Sequence, residues 1–184
     1  MTTILSIHAG SNHITYTVFG APCSDIHHIG RHSARQQDLS YLNRILAFNK
    51  VVVNQHCSAI VIAQRTRHIC KLEASLQALY TGMDLPVLMM SETTKLAKHR
   101  LVLSSKTIKK LQDLKTAALR RSASGNLSAT QQNTLSKQKA KLLTQDLLHS
   151  TMQASSICSK FNNSLHQDEL AATVLQALSH AAVV

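Results

Sequence analysis

The stretch Ile4-Leu5-Ser6-Ile7-His8-Ala9-Gly10-Ser11-Asn12-His13-Ile14-Thr15-Tyr16-Thr17-Val18-Phe19 constrains the fold more than any other in the chain. A short apolar run ends at a Gly-containing turn, and apolar residues then recur at Ile14, Tyr16 and Val18. A period of two marks a strand with one buried face, and two such runs joined by a tight turn mark a hairpin. His8 stands where the first strand meets the turn. What that residue can do decides what the protein can do.

Further along, Gly20 to Asp25 reads as a turn, and Ile26 to Gly30 as a short third strand rich in histidine. His27 and His28 are adjacent, so on a strand they face opposite sides and do not converge on one metal. His32 falls in the loop beyond. Asp38 to Phe48 carries apolar residues at a spacing of three to four, a helix with Asp38 as its N-cap. Val51, Val52 and Val53 extend that apolar run. Ala59-Ile60-Val61-Ile62-Ala63 is continuously apolar and largely β-branched, the pattern of a central strand covered on both faces. A helix from about Ile69 to Tyr80 follows, with Ile69, Leu72, Leu76 and Leu79 on one stripe and Gly82 at its end. Leu85 to Met90 is the next strand, with Pro86 at its start or on an edge. Strand, helix, strand in this length makes strands 59–63 and 86–90 parallel neighbours.

From Ser91 the composition shifts. Between Lys95 and Lys141 there are twelve Lys or Arg and one acid, Asp113. The pattern predicts helices over about 104–121 and 128–149, broken at Ser122 to Asn126. A last helix, Gln167 to Ala181, carries Leu170, Val174, Leu175 and Leu178 at helical spacing. Asp168 and Glu169 sit in its first turn, where the helix dipole favours acids.

The 184 residues suit one domain spanning 1–184 with a real core, interrupted by a basic helical insertion at about 95–150. A net charge of +11 calls for a polyanionic partner, most often nucleic acid. Aromatics are 3% with no Trp, so stacking platforms for single strands are scarce. Lys106, Lys109, Lys110, Arg120, Arg121, Lys137, Lys139 and Lys141 are the candidate phosphate contacts, since solvated faces ordinarily mix signs. Cys23, Cys57, Cys70 and Cys158 fit neither a zinc ribbon nor a disulfide framework, so reduced thiols in an intracellular, non-secreted protein are expected. There is no secretory signal pattern, and no apolar run approaches the roughly 18 residues of a membrane span. No phosphate-binding Gly-rich loop is present, and Ser6 or Ser11 near His13 lacks an orienting acid close in sequence.

Three blocks carry a resemblance. Ser6-Ile7-His8-Ala9-Gly10-Ser11-Asn12-His13-Ile14-Thr15-Tyr16 is similar to "S-I-D-I-G-x-K-N-L-A-Y" of the RuvC-class Holliday-junction resolvases, closest to their mitochondrial and poxvirus branch. Ile60-Val61-Ile62-Ala63-Gln64-Arg65, with Arg67 and Glu73 downstream, resembles that family's "I-E-x-Q" strand end and following helix. Asp168-Glu169-Leu170-Ala171-Ala172-Thr173-Val174-Leu175-Gln176-Ala177-Leu178 resembles "D-D-L-A-D-A-L-L-Q-A-L". Together the blocks cover about a quarter of the chain, in the family's order. Lys95 resembles a family lysine near the site. The resemblance implies an α/β, RNase H-like mixed sheet of about five strands flanked by helices. It also implies a homodimer, DNA rather than RNA as partner, and a viral protein of the infected cell or virion.

Resolvases of this class cleave with two metal ions held by four carboxylates. Hard oxygen ligands bracket the attacking and leaving oxygens, and magnesium prefers oxygen to imidazole. Here the four positions fall on His8, Ala63, Glu169 and Ala172, so one carboxylate of four remains. Asp168 lies about 100° from Glu169 around the helix. The sequence therefore implies a catalytically inactive, resolvase-like protein that recognises branched or duplex DNA by charge and shape and needs no cofactor. Two alternatives stay open. One is an active junction endonuclease in which His8 and Glu169, with Asp168 or water filling in, hold Mg2+ or Mn2+, while Glu73 on the next helix lies almost three turns beyond Ala63. The other is a structural subunit of a virion or ribonucleoprotein assembly.

Overall fold

The structure, a computed structural model, describes residues 2–10, 13–21, 25–33, 45–50, 56–64, 71–91, 104–120, 126–150 and 153–181. Three strands open the chain: β1 (Thr2–Ala9), β2 (His13–Ala21) and β3 (Asp25–Ser33). They pair antiparallel in succession. The hairpin closes at the expected turn, where the Gly10 N–H donates to the His13 carbonyl at 2.8 Å. β4 (Ala59–Gln64) lies parallel to β1, and β5 (Val87–Ser91) parallel to β4. The sheet order is β3-β2-β1-β4-β5.

The helices are α1 (Lys71–Thr81), α2 (Ser105–Arg120), α3 (Ala129–Ser150), α4 (Ser155–Asn162) and α5 (Gln167–Ala181). Residues 45–50 are also helical. Ile45 and Phe48 of that segment are buried, as the spacing requires, while Asp38 and Val51 to Val53 lie outside the described residues.

Strand alternation divides the core in two. On one face Ile4, Phe19, Ile29 and Val61 meet Leu147, Leu148, Ile157, Phe161, Leu170 and Val174 from α3, α4 and α5. On the other, Leu5, Ile7, Ile14, Val18, Ile60 and Ile62 meet Phe48 and the α1 stripe of Leu72, Leu76 and Tyr80. β4 is thus covered on both sides, which is why it has no polar alternation. α1 ends as Gly82 N–H donates back to the Ala78 carbonyl, and Pro86 sits just ahead of β5 with its carbonyl accepting from Ile60 N–H. The proline falls at the start of an edge strand, where its missing donor costs no ladder bond.

Three features differ from the sequence reading. β3 runs on to Ser33, so His32 is in the strand and not in a loop; its ring lies 5.9 Å from that of Phe48. The register shifts between Val18 and Phe19, so His27 bulges out while His28 pairs with Val18 and stacks on Tyr16 at 5.5 Å. Helix α4 has no counterpart in the sequence reading. It is short, and Ile157 and Phe161 anchor it at a spacing of four. Cys57 and Cys158 are free thiols, and burial pushes Cys57 up to about 11. Among the described residues no helix is long and apolar enough to cross a membrane.

Candidate functional site at the carboxyl end of the first strand

One row of residues crosses the sheet where β1 ends. Arg31 pairs with Thr15, and Thr15 with His8. Ala63 follows Ile62, the partner of Ile7, and pairs in turn with Met90. Ser6 and Val61 face α5, so His8 and Ala63, two residues on, face the same side. Helix α5 delivers Glu169 and, one turn later, Ala172 to this end of the sheet. The four aligned positions therefore do converge on one face.

A polar seam holds α5 there. Ser6 Oγ donates to the Thr173 carbonyl at 3.0 Å, Thr17 Oγ1 to Thr173 Oγ1 at 2.9 Å, and Thr173 Oγ1 to the Leu170 carbonyl at 2.9 Å. All three hydroxyl-bearing residues are fully buried. Thr15 Oγ1 reaches the backbone carbonyls of His8 and Glu169 at 3.3 and 3.4 Å, tying β1 to the start of α5 through β2. Ser6 is thus a structural donor and not a nucleophile.

The Glu169 carboxylate is engaged at both oxygens. His13 Nε2 lies 3.1 Å from Oε1 and Arg31 Nε 3.0 Å from Oε2, with His166 Nδ1 3.8 Å from Oε2. His166 opens the helix, its carbonyl accepting from Glu169 N–H and Leu170 N–H. His13 owes its place to Gly10: a Cβ there would collide with the imidazole. Asp168 points elsewhere, as the helical rotation requires. It pairs with Lys137 of α3 at 3.1 Å. Burial works to raise the Asp168 pKa, but the hydrogen bond and charge of Lys137, with Lys141 beyond, outweigh it and hold the carboxyl below its usual range.

These residues do not fit a divalent-metal pair. The single carboxylate at the four positions is bonded to nitrogen at both oxygens, and the other three positions offer an imidazole and two methyl groups. Among the described residues no three His, Cys, Asp or Glu side chains stand close enough to hold a metal ion. Glu73 does not join the site. It is fully buried on α1, and α1 covers the opposite face of the sheet.

The basic segment forms two helices. Lys106, Lys109, Lys110 and Arg120 are exposed on α2; Lys137 is exposed on α3, and Lys139 and Lys141 are half-buried. Lys95 and Arg121 lie outside the described residues. The α2 N-terminus is pinned to α3: Ser104 N–H and Oγ donate to the Asp146 carboxylate at 2.9 and 2.8 Å. Ser104 Oγ also accepts from Thr107 N–H, the bond of a helix N-cap.

The mixed five-strand sheet flanked by helices is the RNase H-like α/β fold, of the type found in junction resolvases. The chain is similar in structure to T. thermophilus RuvC, solved in complex with a Holliday junction substrate. That match has a TM-score of 0.55 and 13% identity, covering 98% of this chain and 93% of that one. It is similar also to Fowlpox virus resolvase, solved in complex with substrate Holliday junction DNA (TM-score 0.57, 9% identity, 99% and 98% covered). A second structure of the Fowlpox virus Holliday junction resolvase matches at 0.55 with 7% identity, covering 99% of each chain. No protein-family model and no curated protein matches the sequence.

The sequence reading missed Arg31, His166 and the contact made by His13. Arg31 lies 138 residues from Glu169. Only the register of β3 on β2 brings it into the row, and a strand as short as Ile26 to Gly30 would have excluded it.

Proposed function

We propose that the protein binds branched or duplex DNA through its basic helices and does not cleave it. The observation that carries this reading is the exposed lysine face of α2, with Lys106, Lys109 and Lys110 on three of its first six residues. It belongs to a segment with twelve Lys or Arg and one acid, on a fold shared with two resolvases solved in complex with Holliday junctions. Lysines act as point charges on phosphates and read shape, not base sequence. Lys137 contributes less than its neighbours, because Asp168 already partners it. The chemistry of the site supports the lack of cleavage in this reading. A phosphodiester needs charge stabilisation at attacking and leaving oxygens, and this site offers one carboxylate already bonded to the Arg31 guanidinium and the His13 imidazole. Homodimers, and DNA in preference to RNA, are part of the same proposal.

Titrating a labelled four-way junction, a matched duplex and a matched RNA hairpin at several salt concentrations tests it. Junction affinity should fall linearly on a log–log salt plot, with no products in Mg2+ or Mn2+. Products in either metal would replace this reading with that of an active endonuclease. Affinity without a salt slope would remove the phosphate contacts.

A further inference from the structure

We infer that Arg31, with His13 beside it, is a built-in cation that takes the place of a divalent ion at Glu169 and bars metal from the site. The inference rests on the site being metal-free, as in the functional proposal, but its tests read metal uptake and stability and not DNA.

The geometry divides the Glu169 carboxylate between two partners, one per oxygen: His13 at 3.1 Å and Arg31 at 3.0 Å. Guanidinium is charged at every accessible pH, so at least one full positive charge is always present against this single acid. His166, just ahead of the helix, adds a third nitrogen at 3.8 Å. All three groups are partly shielded, with His13 14% and Arg31 33% exposed, so solvent screens the pair only in part. A metal ion would have to displace a charge-assisted hydrogen bond and then sit against a permanent cation. Conversely, a four-carboxylate site would draw the arginine in as a competitor. The residues at 8, 63 and 172 and the arginine at 31 thus form one set: no acid at three positions, and a cation to balance the acid at Glu169.

The expectation differs from simple loss of ligands. If ligand loss alone empties the site, restoring the carboxylates restores metal binding. If Arg31 bars the metal, restoration needs its removal as well. Uptake of Mn2+ is read from the loss of the aqueous Mn2+ paramagnetic resonance signal. Four proteins are compared: wild type, Arg31→Gln, H8D/A63E/A172D, and that triple variant with Arg31→Gln added. Wild type should leave the signal unchanged, and the quadruple variant should bind about ten-fold or more tightly than the triple. Equal affinity of triple and quadruple variants overturns the inference. So does uptake by wild type that Glu169→Gln abolishes. A second measurement does not depend on the multiple variants folding. A double-mutant cycle of Arg31→Gln and Glu169→Gln, by urea denaturation in a chelator, should show favourable coupling without any metal. Additive effects there would also overturn it.

Discussion

Thr17 is the residue on which the position of helix α5 can be tested most directly. It is fully buried and donates to Thr173 Oγ1 at 2.9 Å, while Thr173 donates onward to Leu170. Thr17→Val exchanges a hydroxyl for a methyl group of similar size. Thr173 loses a donor but keeps its own acceptor, so the cost should be near the net value of one hydrogen bond, about 1 kcal/mol. Thr173→Val is worse. It leaves the Thr17 hydroxyl buried with its acceptor gone, which costs about 1–3 kcal/mol. The double variant removes donor and acceptor together and should cost less than the sum of the two, by about 1 kcal/mol or more. The Ser6 bond is unaffected throughout, since it ends on the Thr173 backbone carbonyl. Urea denaturation of the four proteins, with unchanged slopes, gives the cycle. Additive losses within about 0.5 kcal/mol would refute the seam as a coupled unit. A stabilised Thr17→Val would refute the hydrogen bond itself.

Three other outcomes are expected. Changing Lys106, Lys109 and Lys110 together to Gln should weaken junction binding and flatten its log–log salt dependence by roughly 2–3 units, measured by fluorescence anisotropy. Phe161, fully buried among residues of α3, α5 and β3, should cost about 3–5 kcal/mol on truncation to Ala, read from the urea midpoint. Burial works to raise the Asp146 pKa, but hydrogen bonds from Ser104 and Thr107, with His149 nearby, lower it overall. Asp168 is lowered too, by Lys137. A carboxylate lowered on folding contributes stability that is complete above its unfolded pKa and lost as pH falls through the folded one. Stability should therefore decline below about pH 4, and Asp146→Asn should shrink that decline, as followed by thermal unfolding across pH.

Strand period and helix stripe made most of the architecture legible. The hairpin, the two-sided strand at Ile60 to Ile62, the parallel crossover and the bounds of α5 all follow from local pattern, because one-dimensional periodicity reports which face is buried. Helix α4 escaped because eight residues with two apolar anchors make a weak period. The site was half legible. His8, Ala63, Glu169 and Ala172 were expected from resemblance; the register of β1 and β4 sets the first two level, and α5 brings the other two to the same end of the sheet. Arg31 and His166 were not found, since nothing local marks an arginine on an edge strand as the partner of an acid in the last helix. Lys137 shows the reverse limit: sequence counts it as a phosphate contact, and its ion pair with Asp168 appears only when α3 meets α5.

The buried bond from Ser6 to Thr173 spans 167 residues. Its consequence lies in the order of synthesis. At about 5–20 residues per second, the ribosome needs on the order of ten seconds or more to deliver α5 after β1. During that time the face of Ile4, Phe19, Ile29 and Val61 has neither its helix nor its hydroxyl partners. The nascent chain therefore carries an incompletely covered sheet from the synthesis of β5 until that of α5, and contacts of such long range close slowly even afterwards. Yield in a cell should depend on holdase chaperones that shield this face, independently of how stable the finished protein is.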